Sequence, residues 1–205
     1  MTSADVRFEL PQPGADCLRV AGPDGAALVV AFLRDGDRIG HAIGVETARE
    51  GAASAFVPLL QSCEGTNQEP WPASAALQSL SIENLPDGRR VALLVGMAGR
   101  SHWSASVEAN QSQHALIFDL ACRTSHTPDF LGSSYRLASG GELAASATES
   151  RQLRLVRGNI QLLLIVEAAG AFPPPRIESR GETIVLEALA TGPKTIRWKY
   201  RLQLG

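Results

Sequence analysis

The sequence has no apolar run long enough to cross a bilayer. The longest, Ala26 to Leu33 and Leu162 to Val166, fall far short of the ~20 residues a membrane-spanning helix needs. No membrane partner is expected. The opening residues, MTSADVRFELPQP, carry neither a basic segment nor an apolar stretch, so no secretory signal is read and a cytoplasmic location is expected. Charge is nearly balanced, with 19 Lys and Arg against 21 Asp and Glu for a formal net charge of −2. No overall basic field draws the chain to nucleic acid, and no nucleic-acid partner is expected. The three cysteines, Cys17, Cys63 and Cys122, include no Cys-x-x-Cys pair, which argues against a disulfide framework and against a zinc knuckle. Each is expected to behave as a small apolar residue.

Catalytic and cofactor motifs are missing too. Gly96-Met97-Ala98-Gly99-Arg100 lacks the Lys-Ser/Thr of a P-loop and the glycine spacing of a dinucleotide site. No Gly-x-Ser-x-Gly elbow occurs, and no cofactor is expected. There is no internal repeat, low-complexity tract or break in composition. One domain spanning 1–205 is expected, ample for a sizeable core.

What the chain does have is many short apolar segments separated by turn residues. Asp35-Gly36, Asp87-Gly88, Gly158-Asn159 and Arg180-Gly181 mark hairpins. Period-two alternation recurs: Val6, Phe8 and Leu10; Leu80 and Ile82; and most clearly Ile196, Trp198, Tyr200 and Leu202 against Thr195, Arg197, Lys199 and Arg201. Half-buried antiparallel strands read this way. The basic stripe of the last segment is expected on the solvent face of an edge strand. Leu28 to Leu33, Val91 to Val95 and Ile160 to Val166 are apolar on both faces, as in strands covered on both sides. Helix is minor: Ala48 to Leu60 is Ala-rich and suits a short helix limited by Pro58, and Ala144 to Arg151 is weakly helical. Ser62 to Ala73 reads as a loop. The expected fold is all-β, an antiparallel two-sheet β-sandwich, with a distorted β-barrel as the alternative.

Polar residues gather between Arg100 and Arg136, which hold three of the four histidines. Within this stretch Trp103 to Glu108 and Ala115 to Arg123 read as a hairpin turning at Ala109 to Gln113. If paired residue numbers sum to an odd value, as with Val107 opposite Leu116, then Trp103, Ala105, Val107, Leu116, Phe118, Leu120 and Cys122 share an apolar face. His102, Ser104, Ser106, Glu108, Asp119 and Arg123 then share the other. The opposite parity mixes charge with large apolar groups, which burial rejects. In the chosen register His102 and His114 point to opposite faces, so the even spacing of His102, His114 and His126 does not make a metal site, and none is expected.

His102, Ser104, Glu108, Asp119, Arg123 and, from the following loop, His126 are therefore the candidate ligand-binding residues. An imidazole, carboxylates, a hydroxyl and a guanidinium on one face suit a small polar ligand or a protein partner. The same groups are ordinary on a solvated strand face. The loop Thr124 to Ser134 is the kind of long polar connection on which binding groups sit. The expected function is a non-catalytic ligand-binding or protein-interaction module. The alternative is an enzyme in which His102, Glu108 and Asp119 perform acid–base chemistry on a polar small molecule or carbohydrate held by Arg123. A concave face roofed by the 124–134 loop would favour a small-ligand or catalytic site. A flat, open face would favour a partner-binding or structural one.

Overall fold

A computed structural model of the chain describes residues 16–22, 25–49, 52–66, 68–138, 142–144, 151–190, 192 and 194–205. It is built from β-strands: β1 (Cys17–Ala21), β2 (Ala27–Asp35), β3 (Arg38–Arg49), β4 (Ala52–Ser62), β5 (Ser79–Asn84), β6 (Arg90–Ala98), β7 (Ser101–Asn110), β8 (Ala115–Arg123), β9 (Gly132–Leu137), β10 (Glu142–Ala144), β11 (Gln152–Arg157), β12 (Ile160–Glu167), β13 (Arg176–Arg180), β14 (Thr183–Glu187) and β15 (Thr195–Leu204). They form a seven-stranded sheet ordered β1-β2-β3-β4-β9-β14-β13 and an eight-stranded sheet ordered β10-β11-β12-β15-β8-β7-β6-β5. All the pairings are antiparallel. Neither sheet closes on itself, so the fold is the two-sheet sandwich and not the barrel. No helix among the described residues is long and apolar enough to cross a membrane.

The core lies between the sheets and is supplied by alternate residues of both. Strand β15 shows why the sequence folds this way. Ile196, Trp198, Tyr200 and Leu202 are buried while Thr195 and Arg197 stay exposed. Burying each of those four contributes about 1.5–3 kcal/mol. The strand is not at an edge, however: it pairs with β8 on one side and β12 on the other. Its basic residues are matched there with acids, Arg197 with Asp119 and Lys199 and Arg201 with Glu167. Paired charge is what lets a basic row sit in the middle of a sheet.

Ala48 to Leu60 is not helical. Strand β3 runs to Arg49 and β4 begins at Ala52. Alanine is a weak β former, but the pairing of this hairpin overrides propensity. Pro58, opposite Gly44, is accommodated at a bulge between Ile43 and Gly44, where no ladder N–H is required. The run Val91 to Val95 is covered on one side only, since Leu93 and Val95 are 46% and 55% exposed. In Ile160 to Val166, Leu162, Leu164 and Val166 are buried and Leu163 and Ile165 half-buried. In Leu28 to Leu33 both faces are covered as far as Phe32; Val29 and Ala31 join Cys17 in a small second cluster. The alternation of Val6, Phe8 and Leu10 lies outside the described residues, as do residues 145–150 of the weakly helical segment.

Candidate functional site

The β7–β8 hairpin has the expected parity. Its observed pairs include Val107 with Phe118 and Ala109 with Leu116, two residues along from Val107 opposite Leu116. Because the shift is even, every side chain keeps its face. Trp103, Ala105, Val107, Leu116, Phe118, Leu120 and Cys122 are buried. His102, Ser104 and Arg123 are exposed, and Ser106, Glu108 and Asp119 half-buried. The first strand extends to Asn110, and the turn is tightened at His114, whose φ is 50°.

Cross-strand pairing arranges the outer face in rows. Met97, His102, Arg123 and Thr195 form one row across β6, β7, β8 and β15. Ser79, Val95, Ser104, Ala121 and Arg197 form the next. Ser81, Leu93, Ser106, Asp119, Lys199 and Glu167 form the third. Directly opposite side chains lie about 5 Å apart. In the second row two small residues, Ser104 and Ala121, floor a trough between larger neighbours. That explains an open depression of about 510 Å³ bordered by Val95, Met97, His102, Ser104, Ala121 and Arg123. A second, of about 610 Å³, adjoins it at the end of β6 and is bordered by Met97, Gly99, Arg100, His102, Arg123, Thr124 and Ser125.

The structure thus brings His102, Ser104 and Arg123 together and keeps the remaining candidates away. Glu108 accepts from Arg89 Nη1 at 2.9 Å and from Asn110 Nδ2 at 3.1 Å. It stands six residues, about 20 Å, along the strand from His102. Asp119 lies opposite Ser106, about 13 Å along the strand from His102, and is clasped by Arg197, with Nε at 2.6 Å. His126 Nδ1 is 2.9 Å from Ser125 Oγ. Of the 124–131 connection, only Thr124 and Ser125 border either of these two depressions, so the connection does not roof them. Ser133 and Ser134, read as loop residues, belong to β9 and are buried. Among the described residues no cluster of His, Cys, Asp and Glu could hold a metal ion.

Sequence reasoning missed two features. One is the apolar row on β6. Of the four large hydrophobics that are exposed among the described residues, Leu93, Val95 and Met97 lie consecutively on the outer side of that strand, and only Leu189 is elsewhere. The other is a polar chain inside the sandwich. His41 Nε2 is 2.8 Å from Tyr135 Oη, which is 2.5 Å from Tyr200 Oη. Trp198 Nε1 donates to Ser133 Oγ at 3.1 Å. The His41 ring is enclosed by Phe32, Phe118 and Tyr135 at centroid distances of 6.2, 5.4 and 5.4 Å. Burial pushes it down to about 4, so it is neutral at pH 7. Burial drives the Tyr135 and Tyr200 phenols upward. Glu64, which hydrogen-bonds Ser62, is pushed up to about 7, again by burial, with Ser62 and Arg38 opposing. A signal for His41 was present: it replaces an apolar residue in the row Ile39, His41, Ile43, Val45. The inner chain opens onto neither depression, so the outer face of the eight-stranded sheet is the candidate site.

Compared with known proteins, the chain matches no family model and none of the curated sequences.

Proposed function

We propose that the protein is a non-catalytic binding module whose contact surface is the outer face of the eight-stranded sheet, from β5 to β8. The observation that carries this reading is the row Leu93, Val95 and Met97. Scattered apolar residues are ordinary on a surface, but contiguous ones mark contact surfaces. Beside them stand His102, Ser104 and Arg123, which give a ligand polar anchors next to an apolar strip. Such a surface suits a small amphipathic molecule or a protein segment that offers an apolar group beside a polar one. Acid–base chemistry is disfavoured because Glu108 and Asp119 are engaged in ion pairs far from His102. Three unpaired cysteines accord with a reducing compartment such as the cytoplasm.

The test is a titration of isotope-labelled protein, followed by amide spectra, with a panel of neutral aromatics, sugars and amphipathic carboxylates. Shifts should concentrate at residues 93–97, 102–106 and 121–125, and Val95→Asp should abolish them while leaving the remaining spectrum unchanged. A panel that shifts no amide of this face, or shifts both sheets alike, would refute the reading.

A further inference from the structure

The cations of the eight-stranded sheet are not treated alike. Arg89 meets Asp87 and Glu108, Arg197 meets Asp119, and Lys199 and Arg201 meet Glu167. Arg90 and Arg154 make no ion pair among the described residues, and at the end of β6 two such arginines stand together. Arg100 and Arg123 both border the larger depression, together with His102, Thr124 and Ser125, and none of its bordering residues is acidic. Arg123 lies directly opposite His102, and Arg100 comes from the turn just before β7. Among the described residues, neither arginine makes an ion pair or a side-chain hydrogen bond.

Two guanidinium groups converging on one concave spot repel each other unless something negative sits between them. A guanidinium presents its donors in a planar fork that matches the paired oxygens of phosphate or carboxylate. The His102 imidazole adds a further polar group at the same rim. Met97, opposite His102, supplies an apolar wall on the side that continues into the Val95–Ser104–Ala121 trough.

We propose that this depression is an oxyanion subsite: it takes the phosphate or carboxylate group of a ligand whose apolar part lies along β6. The inference rests on the outer face being the binding face and adds the chemical class of what binds there. Phosphate and carboxylate share this recognition chemistry, and the measurement separates them.

Isotope-labelled full-length protein is titrated with inorganic phosphate, and separately with acetate, at constant ionic strength. Amides of residues 99–102 and 123–125 should shift saturably, with a dissociation constant on the order of millimolar. Arg123→Gln should weaken binding at least tenfold, and Arg100→Gln should act in the same direction. Arg154→Gln, which removes an exposed arginine from β11 of the same sheet, should leave binding unchanged. Saturation by phosphate alone assigns a phosphate group, and saturation by both anions extends the class to carboxylates. Non-saturating shifts with both anions, or equal weakening by all three substitutions, would overturn the subsite. If neutral aromatics still shift residues 93–97 while both anions fail, the oxyanion inference falls and the binding face stands. If every probe fails, both fall.

Discussion

Replacing Glu64 with Gln should unmask a pH dependence that the wild-type protein cancels internally. Folding moves two half-buried groups in opposite directions, His41 from 6.5 to about 4 and Glu64 from 4.5 to about 7. The unfolded chain binds a proton at His41 below pH 6.5 that the folded ring refuses until about 4. The His41 contribution therefore lowers stability as pH falls. The folded Glu64 carboxyl holds a proton up to about 7 that the unfolded chain releases above 4.5, so its contribution lowers stability as pH rises. Between pH 4.5 and 6.5 each state holds one proton on this pair, and the two slopes cancel. One pKa unit corresponds to 1.36 kcal/mol, so each group alone changes stability by on the order of 3 kcal/mol across its window. In Glu64→Gln only the His41 slope survives, so stability relative to wild type should grow by about 3 kcal/mol from pH 4.5 to 7. His41→Gln should show the opposite slope, and the double variant should run parallel to wild type. Urea unfolding at half-unit pH steps measures this directly, and subtracting the wild-type curve removes the surface carboxylates. A Glu64→Gln curve parallel to wild type throughout would refute the argument, because Glu64 would then titrate alike in both states.

Two further substitutions test the packing. A Cβ on Gly96 would stand 2.0 Å from the Ala76 carbonyl oxygen, so Gly96→Ala should cost about 3 kcal/mol, the upper end for overpacking. Gly88→Ala, at a turn with φ of 82° and open space around it, should cost about 1 kcal/mol; equal losses in urea unfolding would contradict the close approach. Tyr135→Phe removes the hydroxyl between His41 and Tyr200 and should lower stability by about 1–3 kcal/mol. A thermal midpoint equal to that of wild type would show that the inner chain contributes no net stability.

Much of the architecture could be read from local chemistry. Strand β15 alternates cleanly because a half-buried strand demands it. The parity of the β7–β8 hairpin followed from the cost of burying Glu108 beside Phe118. What failed depended on neighbours distant in sequence. Ala48 to Leu60 looks helical alone and becomes strand because β3 and β4 pair across a bulge. The position of β15 in mid-sheet, and hence the pairing of Arg197 with Asp119, depends on which strands flank it. The candidate face was half legible. His102, Ser104 and Arg123 converge as the register required, whereas Glu108 and Asp119 share the face without sharing a place on it. The exposure of Leu93 and Val95 had no local signal, since an apolar run reads the same whether one side is covered or two. Glu64 sits on a connection, where periodicity has nothing to say.

The segment Ala75–Gln78 passes between the two sheets and bonds to both. Ile39 N donates to Leu77 O at 2.8 Å, and Gln78 N donates to Val95 O at 2.9 Å. Arg38 reaches across from β3 to the Met97 carbonyl at 3.0 Å, and Ser74 Oγ bonds both the amide and the carbonyl of Ser134 in β9. Apolar contact between two sheets is non-directional and tolerates a small slide, but hydrogen bonds to both do not. The sandwich is pinned here at the end of β6 and again at the β7–β8 turn, where Gln111 and His114 bond Arg19 and Ala21 of β1. Between the two it is pinned through Tyr135–Tyr200 and Ser133–Trp198, so a slide of one sheet over the other would break bonds along its whole length. The depression framed by Met97 and Arg123 lies beside one of these pins, so its walls are locked in register with the opposite sheet.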